Sequence, residues 1–166
     1  MDIFYNKINE ICAKNEKVAM FIDMDGTIVE YKVYKDGVLT TSTKGIFLNG
    51  EPIKVVINNL KRISEIPNID LYILTLSKSN IIVEEKKQWL KKYVDFIDEN
   101  NWIIINKEAG EYNKENRNFI KSIKIQEKLS DYSCAVFLDD DHKILKQTQD
   151  DLGDKCHVFH LSSAII

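Results

Sequence analysis

Five short apolar runs, each separated from the next by a stretch of helical period, constrain this chain more than any other feature of it. Val18-Ala-Met-Phe-Ile-Asp23, Leu71-Tyr-Ile-Leu-Thr75, Trp102-Ile-Ile-Ile105, Ala135-Val-Phe-Leu138 and His157-Val-Phe-His-Leu161 are compact and nearly unbroken. Runs of this kind read as strands buried on both faces. Between them the apolar residues fall at steps of three and four. Phe4, Ile8 and Ile11 mark a helix over residues 2–14, and Ile53, Val56, Ile57, Leu60 and Ile63 form one stripe behind Pro52. Ile82, Trp89, Leu90, Tyr93 and Ile97 form another, and residues 116–129 and 142–150 complete the helical set. Strands alternating with helices require right-handed crossovers, which gives an α/β fold: a parallel sheet with helices on both faces. Ligands of such sheets gather at the carboxyl ends of the strands.

Residues 29–50 break the alternation. Asp36-Gly37 lies between Tyr-Lys-Val-Tyr and Val-Leu-Thr, the pattern of a hairpin turn, so a small β flap over about 28–50 is expected within a single domain spanning 1–166. A chain of 166 residues buries enough surface to hold a core without disulfides or a structural metal. Cys12, Cys134 and Cys156 are an odd number, widely spaced, which points to a reducing compartment, with the cytoplasm as the default. No apolar run reaches the length of a membrane span, and the first residues do not have the form of a signal peptide. The net charge of −3 has no basic stripe within it, which disfavours broad binding to nucleic acid or to anionic lipid and leaves a small anionic substrate open.

The acids are not scattered. Asp23 and Asp25 follow the first strand, Thr75 the second, and Asp139-Asp140-Asp141 the fourth. In a parallel sheet these ends share one edge, so the carboxylates would repel one another unless a cation sat among them. An all-oxygen donor set suits Mg²⁺, and Asp23, Asp25, Asp139 and Asp140 are the candidate ligands.

Phe21-Ile-Asp23-Met-Asp25-Gly26-Thr27-Ile resembles the first motif of the haloacid dehalogenase (HAD) superfamily, apolar residues followed by D-x-D-G-T. Leu71 to Thr75 resembles the second motif and Val136-Phe-Leu-Asp139-Asp140 the fourth, with 50 residues from Asp25 to Thr75 and 65 from Thr75 to Asp140. Gly45-Ile-Phe-Leu-Asn-Gly-Glu-Pro52 and Glu85-Lys-Lys-Gln-Trp89-Leu-Lys-Lys-Tyr93 look like the 5′-nucleotidase, deoxyribonucleotidase-type branch. The resemblance implies a Rossmann-like fold and a Mg²⁺-dependent phosphomonoesterase, with a nucleoside 5′-monophosphate or similar small phosphate as substrate. It implies Asp23 as nucleophile, forming an aspartyl-phosphate, and Asp25 as general acid and base. Thr75 adds a hydroxyl, and Gly26 lets the chain turn so that backbone N–H groups can face the phosphate. The third-motif lysine belongs at or before the helix leading into the fourth strand. Lys121, Lys124 and Lys128 compete for it; Lys124 is preferred. In the D-D form the second acid reaches the metal, which favours Asp140 with Asp139 supporting.

Each of these residues has a simpler use. Asp139 or Asp140 suits a helix N-cap, Thr75 a strand, and a lysine between 121 and 128 a solvated helix face. Gly45 and Gly50 have P-loop spacing, but Glu51-Pro52 stands where Lys-Ser/Thr is needed. Cys156, His157 and His160 resemble a zinc set in residue type, but 157 and 160 face opposite sides of a strand and C-x-x-C spacing is absent, which argues against zinc. Tyr31, Tyr34 and Phe47 suit either stacking on a base or a small flap core. About 24 residues between Thr27 and Pro52 are too few for a large cap. That leaves an open site, larger substrates, or closure by an oligomeric partner such as a second copy. A fold that has lost turnover and serves binding or regulation, and an end-processing phosphatase on nucleic acid, are the alternatives.

Overall fold

In the computed structural model, which describes residues 2–30 and 45–165, ten principal elements follow the expected alternation. They are α1 (Asp2–Lys14), β1 (Val18–Ile22), α2 (Lys54–Ser64), β2 (Ile69–Ser77), α3 (Asn80–Tyr93), β3 (Trp102–Asn106), α4 (Ile120–Lys128), β4 (Cys134–Asp139), α5 (His142–Leu152) and β5 (Cys156–His160). The sheet runs β3-β2-β1-β4-β5 with every pairing parallel. From β1 the chain moves outward through β2 to β3, then crosses back to lay β4 on the other side of β1. The gap between the carboxyl ends of β1 and β4 is therefore a topological switch point, where open α/β sheets bind ligands.

All residues of β1 and β4 are buried, and alternate side chains serve two different cores. Val18, Met20, Ile22, Val136 and Leu138 face α1, α2 and α3, where they meet Phe4, Ile8, Leu60, Trp89 and Leu90. Ala19, Phe21, Ala135 and Phe137 face α4 and α5 and meet Ile120, Ile125, Ile144 and Leu145. This two-sided burial is why the strands read as unbroken apolar runs.

Three element boundaries differ from expectation. α4 starts at Ile120 rather than 116, because the Asn113 side chain accepts from the backbone N–H groups of Glu115 and Asn116 and holds a turn there. α3 ends at Tyr93, and Ile97 is buried beyond it. Pro52 precedes rather than opens α2, forming an isolated bridge with Val29 that closes the base of the 28–50 insertion. The Asp36-Gly37 turn, Tyr31 and Tyr34 lie outside the described residues. Among those described, no helix is long and apolar enough to cross a membrane.

Candidate active site at the carboxyl edge of the sheet

β1 delivers Asp23 one residue past its last pairing, and the Asp23 N–H donates to the Leu138 carbonyl at 2.9 Å, binding the first acid to the strand that carries the others. Beyond it the backbone turns at Gly26, whose φ of 79° is costly for any residue with a Cβ. This turn differs from expectation in one respect. The N–H of Gly26 donates to Val29, and those of Thr27, Ile28 and Val29 to Met24, so these four amides close the turn instead of facing a ligand.

Three consecutive acids at the end of β4 divide the work. Asp141 is the N-cap of α5, accepting from the N–H groups of Lys143 and Ile144. Burial would raise its carboxyl, but those two donors and the Arg117 guanidinium 3.3 Å away hold it below the usual range. Asp139 is buried; its Oδ1 accepts from the Asp141 N–H and its Oδ2 from Lys121 at 2.7 Å. Asp140 is half-buried. Burial first, then the charges of Asp23 and Asp139, push its carboxyl up to about 7. Burial and Asp23 likewise push Asp139 up to about 6, against the pull of Lys121.

The lysine among these acids is Lys121. Its Nζ lies 2.5 Å from Asp23 Oδ1 and 2.7 Å from Asp139 Oδ2, all three groups buried. Burial alone would lower the Lys121 ammonium, but the two carboxylates raise it above its ordinary value. Lys124 is instead placed toward solvent beside Glu127, 3.1 Å away, and with Lys128 it flanks the outer strand β3. The reason is helix direction. α4 begins at the carboxyl edge and runs away from it, so Lys124 lies about 4.5 Å further along the axis than Lys121.

Asp25 is served by a residue that the motifs did not single out. Lys86, fully buried on α3, donates to Asp25 Oδ2 at 2.6 Å, to Thr75 Oγ1 at 2.9 Å and to the Leu76 carbonyl at 2.7 Å. Asp25 Oδ1 is buried without a hydrogen-bond partner. Burial raises the Asp25 carboxyl above its ordinary value, with Lys86 opposing and Asp23 reinforcing. Lys86 falls four residues after Ile82 and three before Trp89, on the apolar stripe of the helix; that spacing is the signal in the sequence that could have found it, and Lys87, Lys91 and Lys92 on the same helix obscure it.

The neighbouring side chains fasten α3 to the segment returning from the insertion. Glu85 accepts from the N–H groups of Gly45 at 2.5 Å and Phe47 at 3.3 Å, and Trp89 Nε1 donates to the Gly50 carbonyl at 2.8 Å. Phe47, buried, lays its ring 4.8 Å from Lys86 Nζ. A Cβ on Gly50 would stand 2.5 Å from Val29 Cγ1, so any larger residue there forces a shift.

Asp23, Asp25, Lys121, Asp139, Asp140 and Arg117 line a cleft of about 60 Å³. Ligand atoms of Asp23, Asp139 and Asp140 lie within 4.8 Å of one another, a spacing that one hard cation can span. The Asp25 carboxylate stands outside this group, turned to Lys86. The residues present thus fit Mg²⁺: an all-oxygen set, crowded enough that two of its acids resist ionisation when no cation is present.

The HAD domain of the effector protein Lem4 from Legionella pneumophila has a similar fold, with a TM-score of 0.50 and 14% identity, covering 87% of this chain and 86% of that one. A putative haloacid dehalogenase-like hydrolase from Burkholderia xenovorans aligns with a TM-score of 0.45 and 12% identity over 86% of this chain and 81% of that one. No family model and no curated protein matches the sequence. The sheet order, the helical layers and the Lem4 likeness make this a HAD-like, Rossmann-type α/β fold.

Proposed function

We propose that this protein is a phosphomonoester hydrolase that works through a phosphorylated Asp23, with Mg²⁺ as cofactor. The observation that carries the reading is the clamp of Lys121 on Asp23 and Asp139 beside the free oxygen of Asp25, at the switch point of a HAD-like sheet. Asp23, Asp139 and Asp140 would hold the metal, which supplies positive charge between a carboxylate nucleophile and an anionic phosphoryl group that would otherwise repel it.

The chain's own residues do the rest. A carboxylate oxygen of Asp23 attacks phosphorus; the bond from phosphorus to the ester oxygen breaks, and that oxygen takes the electron pair together with the proton of Asp25. Water then attacks phosphorus and gives its proton to Asp25, and the electron pair of the acyl-phosphate bond returns to Asp23. Lys121 spends two of its three N–H donors on Asp23 and Asp139, which leaves one for a phosphoryl oxygen. Among the described residues the cleft measures about 60 Å³, the volume of about two waters in the liquid and far below that of a nucleoside. The remainder of the substrate therefore projects outward.

A nucleoside 5′-monophosphate or another small phosphate is the proposed substrate class. The two segments resembling the nucleotidase branch pack on each other, through Glu85 to Gly45 and Phe47 and through Trp89 to Gly50, which supports that choice. Phosphate release from a panel of nucleoside monophosphates and sugar phosphates, with Mg²⁺ or with EDTA, tests it. Metal-dependent release that Asp23→Asn lowers by at least about 10³-fold is the expected result. Release unchanged in that variant would remove Asp23 as nucleophile.

A further inference from the structure

Lys86 raises a question that the phosphatase reading does not answer. Burying an ammonium costs several kcal/mol unless its charge and its donors are satisfied, and an apolar residue would pack the inner face of α3 at no such cost. An ammonium has three donors, and here all three are engaged: by Asp25 Oδ2, Thr75 Oγ1 and the Leu76 carbonyl, within 2.9 Å. Lys86 therefore has no donor left for a phosphate. Its effect must pass through the groups it holds.

Those groups have one property in common. Asp25 presents its second oxygen, Oδ1, without a partner. Thr75 accepts from Lys86 through its hydroxyl oxygen, so its own proton is free to be donated elsewhere. One ammonium thus holds both a carboxylate that lines the cleft and, beside it, a buried hydroxyl whose proton is left to be donated. Lys86 is itself held in place: Phe47 covers it, and its neighbour Glu85 binds the backbone of the segment that carries Phe47.

We infer that Lys86 is a positioning residue that aims Asp25 Oδ1 at the leaving oxygen and the Thr75 hydroxyl at the phosphoryl group. This inference rests on the phosphatase reading. It assigns Lys86 to one event within it, transfer of the Asp25 proton as the ester bond breaks. An alkoxide leaving group needs that proton, whereas a nitrophenolate leaves largely without it.

The test compares kcat/KM for ribose 5-phosphate and for p-nitrophenyl phosphate, in wild type and Lys86→Met, at saturating Mg²⁺. Mispositioning of the acid is expected to lower the alkyl-ester value by about 10²–10⁴-fold and the aryl-ester value by less than about 10-fold. Equal losses on both esters, or no loss on either, would overturn the assignment. Lys86→Gln, whose amide keeps two donors, covers the case in which the methionine variant does not fold. It should melt near wild type and show the same selective loss in smaller measure. Unfolding of both variants would make the lysine structural and defeat the inference. Failure of the phosphatase reading looks different: wild type would release no phosphate from either ester, or Asp23→Asn would release it as wild type does.

Discussion

The half of the site built by β1, β4 and α4 sets three carboxylates, Asp23, Asp139 and Asp140, against one lysine, whereas the half where the turn after β1 meets β2 and α3 sets one carboxylate, Asp25, against one lysine. The first half has an excess of negative charge, and two of its acids, Asp139 and Asp140, are pushed toward neutrality. The second is matched in charge and has all of its ammonium donors engaged. The difference separates a charge excess that the proposed dication would complete from a pair that the chain balances unaided. Lys121 keeps a donor in reserve beside Asp23; Lys86 has none left.

Removing Lys121 should disturb this arrangement most. Lys121→Met leaves Asp23 and Asp139 buried without their cation, so the metal-free protein should lose about 3–5 kcal/mol, read from its urea midpoint, along with its turnover.

Mg²⁺ binding, which the proposed function assigns to the same half, should be the next largest effect, with a pH dependence of fixed sign. Asp139 and Asp140 hold protons more tightly folded than unfolded, so their contribution to metal-free stability is present below about pH 4 and is lost as pH rises through about 6 to 7. Mg²⁺ must displace those protons at low pH. A Mg²⁺ concentration a hundred times its Kd at pH 8 should stabilise by about 2.7 kcal/mol there, and the same concentration should raise the melting temperature less at pH 5. Equal rises at the two pH values would mean that these acids are not the ligands.

Gly50→Ala tests the other half. Its methyl group meets Val29 at 2.5 Å, so about 1–3 kcal/mol should be lost as the returning segment shifts away from Trp89, which a tryptophan fluorescence melt would register. Lys124→Met should do least, within about 0.5 kcal/mol by denaturant melt and with unchanged phosphate release, because its exposed pair with Glu127 contributes little.

Much of the molecule was legible in the residues alone. Two-sided burial writes itself into a strand as an unbroken apolar run, and one-sided burial writes itself into a helix as a stripe. Both signals are local, and all five strands and the helices between them follow from such signals within a few residues. The placement of Asp23, Asp25, Thr75, Asp139 and Asp140 on one edge then needs only the parallel sense of the strands.

What the tertiary structure alone decided is which partner each of those acids meets. The lysines at 121, 124 and 128 are equivalent to any reading of period or charge. The choice of Lys121 depends on a turn at Asn113 that delays α4 and on the direction in which that helix leaves the edge. Lys86 is hidden among the lysines of α3 until the packing of Trp89 and Leu90 against the sheet turns it inward to Asp25, 61 residues away in sequence. Chain-local chemistry determines which side chains are present and which elements carry them. Contacts made across the sheet determine which two of them share a proton or a charge, because that depends on distances that no stretch of contiguous sequence contains.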